Sequence, residues 1–308
     1  MAEGAFHKDI QRKLNSVRTK NFMYHEQHQY WRINMYTRHI CVSANEKIAD
    51  AVPDNSGFSG MLGEFAEVCE AEGRKAVTLR TENGASWFSA GSYCGFACLS
   101  DGTLVEILPP VGKTTEYARN VLCAEFSRRC GFSFSPADKY CDANFLEYLI
   151  SVFAVETVKI IKSGVLSAYT SREENMTAVQ GTILFHENIR RNLVHRERLY
   201  VRHDVFTPDR AENRIIKAAA AKLCKLTADS HTSHLLKEAL SYFDEVAVPH
   251  NITAEFGRCI NTRNTKKYST ILNICRMLLD KNAGTAFTGK YVTCAQFYRM
   301  NARHSAAG

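Results

Sequence analysis

The chain has no apolar run long enough to span a bilayer: its longest, Tyr148 to Ile161, is broken by Glu156 and Lys159, whereas a membrane helix needs roughly 18 to 20 apolar residues. The basic N-terminus has no apolar signal core, so nothing directs the chain to export and a cytoplasmic location is expected. No CxxC occurs. Eleven cysteines, an odd number scattered through 308 residues, read as buried free thiols in a reducing compartment and not as a disulfide framework. Cys94 and Cys98 share one face of a strand pattern but have no second cysteine or histidine pair at ligand spacing, so no zinc is expected. There is no GxSxG and no HExxH. A phosphate-cradling loop of the form GxxxxGK(S/T) is also missing. Its nearest relative, Val111-Gly112-Lys113-Thr114, has Leu108 at the first glycine position, and Pro109 and Pro110 remove N–H donors that such a loop requires. Neither an internal repeat nor a low-complexity tract stands out.

What is present describes a globular protein with room for two domains, 45% hydrophobic and 23% charged, enough to bury a core. A formal charge of +7 permits contact with nucleic acid or with an acidic protein surface and requires neither. The excess is uneven: between Glu187 and His203 stand Arg190, Arg191, Arg196, Arg198 and Arg202 against two glutamates.

The pattern predicts an α+β fold in three stretches. Residues 1–60 read as an irregular or weakly helical lead with aromatic and basic residues mixed, closed by turn chemistry at Pro53-Asp54-Asn55-Ser56-Gly57. Residues 61–112 read as a small antiparallel β-rich module, its apolar runs separated by turns at Glu82-Asn83-Gly84 and Ser100-Asp101-Gly102. Residues 113–308 read as a mainly helical domain with a β-hairpin inserted near 181–206. Thr114 should cap a helix that stops at Gly131, and Asn144 should cap a core helix with Phe145, Leu149, Val152, Phe153, Val155, Ile160 and Ile161 on its apolar face. Gly181 to Phe185 and Arg198 to Phe206 alternate like strands. Asp209 then leads, as a cap, into an amphipathic helix through Asn213, Ile216 and Leu223. Further helices are expected over about 233–243 and from Thr265 to Leu279.

The most specific stretch is Tyr169 to Leu223. The order and spacing of Tyr169, Glu173-Glu174-Asn175, Gly181 with Ile183, Asn192, Asp204 and Asn213-Arg214-Ile215-Ile216-Lys217 resemble the middle of the McrC family, the partner subunits of GTP-driven, McrBC-type modification-dependent restriction systems. The β-rich module is similar too. In the family, a strand ending in glycine, here Gly95-Phe96, is followed by a hairpin and an Ile-x-Pro-Lys ending, where this chain has Ile107-Leu108-Pro109-Pro110. Asn175, Gly181, Asn192, Asp204, Asn213 and Arg214 are thereby expected to be structural.

The resemblance implies a subunit that docks onto an McrB-type AAA+ GTPase ring and stimulates its hydrolysis. It meets modified DNA, such as 5-methylcytosine DNA, through that assembly in phage defence. GTP and Mg would sit on the partner, with no cofactor or metal on this chain and no membrane contact. Arginine suits the docking role, because its fork of donors stays charged and pairs bidentately. Two clusters are candidates for partner or DNA contact: Arg190, Arg191, Arg196, Arg198 and Arg202; and Arg263, Lys266 and Lys267. The second resembles the family's Asn-Thr-Arg-Tyr-Tyr at a helix start, with Lys266 in the arginine position and Lys267 in that of the first tyrosine. Family members usually continue into a D…(D/E)xK nuclease domain. Cys294 to Asn301 resembles the segment leading into it, after which Ala302 to Gly308 departs from the pattern. The chain is therefore expected to lack that domain and to have no catalytic residue of its own, with a separate nuclease chain as a possible partner. Two rivals stand beside this reading. One is a stand-alone nucleic-acid-binding module, favoured by the aromatics interleaved with Lys and Arg near the N-terminus. The other is part of a full-length endonuclease subunit with a diverged site, for which Asp204, Asp209 and Glu212 are the carboxylates to suspect.

Overall fold

A computed structural model describes residues 38–50, 57–71, 73, 75–110, 114–132, 144–279, 286–287 and 292–299. The chain is α+β. Strands β1 (Arg38–Ser43) and β2 (Lys47–Asp50) are followed by helix α1 (Phe58–Ala71), and then by the hairpins β3–β4 (Val77–Glu82, Ala85–Ala90) and β5–β6 (Tyr93–Leu99, Thr103–Leu108). Helices α2 (Thr115–Cys130) and α3 (Phe145–Lys162) come next. The expected turns are in place: Asn83 and Gly84, both at positive φ, join β3 to β4, and Gly102 at φ 83° joins β5 to β6. So are the expected helix ends. The Thr114 hydroxyl accepts from the Tyr117 N–H, Gly131 ends α2 in the left-handed region, and the Asn144 side chain accepts from the Glu147 N–H. Such caps satisfy N–H and C=O groups that a helix cannot pair internally.

The two hairpins do not form one sheet. Sheet order β2-β4-β3 takes one of them, and β1-β6-β5-β11-β10 takes the other, with β10 at Ala286–Phe287 and β11 at Val292–Arg299. The lead was expected to be irregular, but residues 38–50 are strands. β1 lies parallel to β6, pairing Arg38 with Thr103 through Ser43 with Leu108. Its sequence alternates too weakly to announce a strand, and the partner that makes it one lies more than sixty residues away. The segment Cys294 to Asn301 likewise contributes a central strand, since β11 runs antiparallel to β5 with Gly95 opposite Phe297. Gly95 sits at φ 152°, and a Cβ there would collide with the Gln296 carbonyl. This glycine lets two backbones approach closely. Residues 1–37 and the Pro53 to Ser56 turn lie outside the described residues.

Alternate residues of β11 serve opposite faces of the sheet. Phe297 meets Phe65 of α1 at 5.8 Å between ring centroids, and Tyr298 meets Phe145 of α3 at 6.4 Å. Phe145 also packs edge-on against Phe96 and Phe126. Within this apolar layer Glu106 of β6 is fully buried. Both its oxygens accept from Arg119 of α2, at 3.0 and 2.9 Å, one accepts from the Phe145 N–H at 2.8 Å, and His39 of β1 stands 3.2 Å away. Burial pushes the Glu106 carboxyl up, but His39, Arg119 and the Phe145 N–H outweigh it and hold its pKa at about 2. One carboxylate thus joins a sheet, a helix flank and a helix start.

The rest of the chain builds the arm described below and a helical layer. α5 (Ala211–Leu223), α6 (Ser230–Tyr242) and α7 (Ile252–Arg258) precede a 3-10 turn at Lys266–Tyr268 and α8 (Ser269–Leu279); α4 (Phe185–Asn192) belongs to the arm. α3 packs against α6 and α8, and α5 against α6, α7 and α8. Buried Glu147 ties α3 to the α5–α6 link by accepting from the Thr227 hydroxyl and the Ala228 N–H, both at 2.7 Å. Of the expected α3 face, Phe145, Leu149, Phe153 and Ile160 are buried, Val152 and Ile161 are half-buried, and Val155 points outward, 46% exposed. The helix expected from Thr265 begins as the 3-10 turn, because the Thr265 hydroxyl is engaged with Thr262 and the Ile260 carbonyl. Such local side-chain bonds compete with helix. Among the described residues no helix is long and apolar enough to cross a membrane.

Candidate functional site

The stretch from Ala168 to Thr207 forms an arm. β7 (Ala168–Met176) and β9 (Leu199–Thr207) pair antiparallel over nine residues each, from Ala168 opposite Thr207 to Met176 opposite Leu199. The short β8 (Thr182–Ile183) lies on the other side of β9, and helix α4 (Phe185–Asn192) returns the chain. The sequence pattern gives a strand from Gly181 to Phe185, and the structure ends that strand at Ile183. Asn175 lies within β7, and Phe185 opens a helix. The helical period was present in Phe185, Ile189 and Leu193, four apart each time, but it competes with the alternation just before it.

Three of the residues expected to be structural, Asn175, Gly181 and Asn192, lie at close contacts within the arm. Asn175 and Asn192 exchange amide hydrogen bonds at 2.9 and 2.8 Å. Asn192 also donates to the Asn188 oxygen, which accepts from the Tyr200 N–H at 2.9 Å. Gly181 sits at φ 75°, where a Cβ would run into the Arg202 carbonyl and His203. Asp204 lies exposed on β9, opposite Ser171.

At the arm's base, Asn213 donates to the carbonyls of Leu166 at 2.8 Å and Pro208 at 2.6 Å. Asp209 does not cap α5: Arg210 occupies that position without a side-chain cap bond. Asp209 instead accepts two hydrogen bonds from Arg214, both at 2.7 Å, and one from the Ala247 N–H. Arg214 thereby holds the Asp209 carboxyl below its usual range. Glu212 pairs with Arg210 at 3.2 Å. Among the described residues, no three His, Cys, Asp or Glu side chains are grouped to hold a metal ion.

The arm also brings the first arginine cluster together, but most of its charge is engaged locally. Arg190 and Arg191 approach Glu187 at 3.7 and 3.0 Å, and Arg191 lies 4.6 Å over the Tyr200 ring. Arg198 stands 3.8 Å from Glu197, and Arg202 pairs with Glu173 directly across the strands at 2.6 Å. Exposed pairs of this kind contribute little to stability, because water and salt screen them. Arg196 is exposed and pairs with no described residue. Over residues 168–207, six arginines stand against four glutamates and one aspartate, a net charge of only +1.

Sequence reasoning missed the apolar surface. Phe185, Ile189 and Leu193 form one stripe along α4, 72%, 66% and 72% exposed, and Val194 beyond it and Val179 in the preceding loop are exposed as well. A helix on a globular protein normally turns such a stripe to the core. Here the buried residue of α4 is Asn192. At the other end of the arm, Tyr169 and Phe206 stack on each other at 5.1 Å and are both exposed.

The second basic cluster lies apart in sequence, around the 3-10 turn. Lys267 reaches the C-terminal end of α3, donating to Gly164 O at 2.7 Å and Ser163 O at 3.2 Å. Its charge meets the negative end of that helix. Arg263 and Lys266 are exposed and pair with no described residue.

Residues 88–303 match a family model described as McrBC 5-methylcytosine restriction system component. No curated protein matches the chain. Among solved structures it resembles a chain of the cryo-EM structure of the Thermococcus gammatolerans McrBC complex, at a TM-score of 0.64 and 18% identity over 86% of this chain and 84% of that one. It also resembles a chain in a refined half-complex from a tetradecameric assembly of Thermococcus gammatolerans McrB AAA+ hexamers with bound McrC. The TM-score there is 0.63, with 18% identity over 85% of this chain and 67% of that one. At that identity the likeness shows a shared fold.

Proposed function

The chain belongs to the family of McrBC 5-methylcytosine restriction system components, and from that premise we propose that it is an McrC-like subunit that docks on an McrB-type AAA+ GTPase ring through its arm and stimulates GTP hydrolysis there. The observation that carries this reading is the outward-facing stripe of Phe185, Ile189 and Leu193. Clustered apolar side chains that a helix leaves in water mark a surface meant to be covered. The nearly neutral charge of the arm favours a protein surface over a nucleic-acid backbone, whose recognition relies on an excess of cations. Apolar anchors with arginines at their rim are the usual composition of a protein interface. The solved neighbours, described as McrB AAA+ hexamers with bound McrC and as an McrBC complex, support a ring as the partner.

Stimulation is assigned to Arg263 and Lys266, exposed cations that pair with no described residue. A cation near a nucleotide site stabilises charge that develops on the transferring phosphoryl group. GTP and Mg belong to the ring in this reading, and modified DNA meets the assembly as a whole. The test is GTP turnover by a cognate ring, titrated with the purified chain: saturable stimulation is expected. If turnover stays flat while binding is demonstrated, the stimulatory role fails. Salt-sensitive DNA binding by the chain alone, with no affinity for the ring, would favour the free nucleic-acid-binding module.

A further inference from the structure

Both strands of the arm leave the body through one small joint. The chain enters β7 from Ser163-Gly164-Val165-Leu166 and leaves β9 through Pro208 and Asp209, and the first pair of the ladder, Ala168 with Thr207, follows at once. A single side chain spans the gap. The Asn213 amide gives one hydrogen bond to Leu166 O and one to Pro208 O, so the entering and leaving backbones hang on the same nitrogen. Asn213 is fully buried, and among the described residues its oxygen has no hydrogen-bond partner. Burying an unpaired amide oxygen is unfavourable, so the side chain's two donated bonds must outweigh that cost.

A second element closes the joint from the other side. The Leu166 N–H donates to the hydroxyl of Tyr268 at 2.9 Å, and Tyr268 is fully buried in the 3-10 turn. Its neighbour Lys267 fixes the two residues just upstream through Ser163 O and Gly164 O. Leu166 therefore has its donor and its acceptor held by different parts of the helical layer. Gly164, at φ 85°, supplies the turn that feeds it.

We infer that Asn213 and Tyr268 form a positioning joint that fixes the direction of the arm relative to the helical layer, and that, on the reading of the arm as a ring-docking element, the joint determines how far docking is converted into stimulated turnover. Neither residue touches nucleotide. Asn213 acts through Leu166 and Pro208, and Tyr268 through Leu166. The arm's own surface, which sets affinity, is untouched by changes at the joint, so the two properties separate.

The experiment uses the full chain carrying a donor and an acceptor dye, introduced through non-natural residues at exposed Val179 on the arm and Lys237 on α6. Tyr268→Phe removes one hydroxyl and keeps the ring in its pocket, and Lys267→Met changes an exposed residue, so both variants should fold. Asn213→Asp, which sets a carboxylate against two carbonyls, is included where its melting transition stays cooperative. The expected result is a broadened or shifted arm-to-body distance in each variant. The amount of chain needed for half-saturation of an McrB-type GTPase ring should change less than about three-fold, while maximal stimulation falls by about three- to ten-fold, the range one lost hydrogen bond allows. An unchanged distance distribution in Tyr268→Phe and Lys267→Met overturns the joint, and so does an equal loss of half-saturation and maximum. If the wild-type chain fails to stimulate the ring at all, the proposed function falls, and the distance measurement on the free chain still decides the joint.

Discussion

Asn175 of β7 and Asn192 of α4 bond to each other in both directions, amide to amide, at 2.9 and 2.8 Å. The pair is the arm's internal lock: it ties the return helix to the far end of the outgoing strand, and through Asn188 it reaches the backbone of Tyr200. Asn192→Ala should destabilise the chain by about 1 kcal/mol, because it removes the hydrogen bonds that buried Asn192 makes to exposed Asn175 and half-buried Asn188. Protection of the Tyr200 N–H from hydrogen exchange should fall with it. Unchanged exchange would separate the pair from the arm's stability.

Gly181 should not tolerate a side chain. Gly181→Val demands a positive φ from a β-branched residue and drives its Cβ into the Arg202 carbonyl, so the thermal midpoint should drop by several degrees. Gly164→Ala is the informative control. Gly164 has a similar φ of 85° but open space around it, so only the backbone penalty applies there and the loss should be smaller.

Replacing Phe185, Ile189 and Leu193 by serine should leave folding intact or slightly improved, since the three are largely in water. Affinity for the ring should fall by at least about 100-fold if two of them are anchors of about 1.4 kcal/mol or more each. A chain that binds the ring equally well without the stripe would remove the observation on which the proposed interface rests.

Charge reversal at Arg190, Arg191, Arg196 and Arg198 should slow association and make it less salt-sensitive. Arg196 should account for a disproportionate share, because the others already face Glu187 or Glu197. Arg263→Ala with Lys266→Ala should instead lower the maximum of stimulated GTP turnover more than the affinity. Lys267→Ala belongs to a different class, since its ammonium holds the end of α3.

Glu106 predicts a specific pH response. Its folded pKa of about 2 lies below the ordinary glutamate value, so its contribution to stability is complete above about pH 4.5 and is lost as pH falls through the interval down to about 2. Glu106→Gln should cost about 3–5 kcal/mol, because the buried Arg119 guanidinium loses the carboxylate charge it faces. It should also flatten the acid limb of a stability profile measured between pH 5 and 2.

Much of this architecture was legible in the residues. Caps at Thr114 and Asn144, the stop at Gly131 and the turns at Asn83-Gly84 and Asp101-Gly102 are local chemistry, readable because each depends on a few neighbouring residues. The ordered motif from Tyr169 to Lys217 was readable for a similar reason, and its asparagines, glycine and Arg214 do hold the arm and its base. The apolar stripe of α4 was less legible, because periodicity shows that a helix has an apolar side and not which way that side turns.

The sequence by itself therefore determined the helix ends at Thr114, Gly131 and Asn144, the hairpin turns, the α+β class and the motif that places the chain in its family, all of them interactions between residues close in the chain or patterns along it. Tertiary structure alone decided the rest: that β1 and β11 complete the sheet begun by β5 and β6, that Glu106 finds Arg119 and the start of α3, that Leu166 is held by both Asn213 and Tyr268, and that Phe185, Ile189 and Leu193 face water. Each of these depends on which distant segments come into contact. That is fixed by the collective packing of the folded chain, which no local pattern contains.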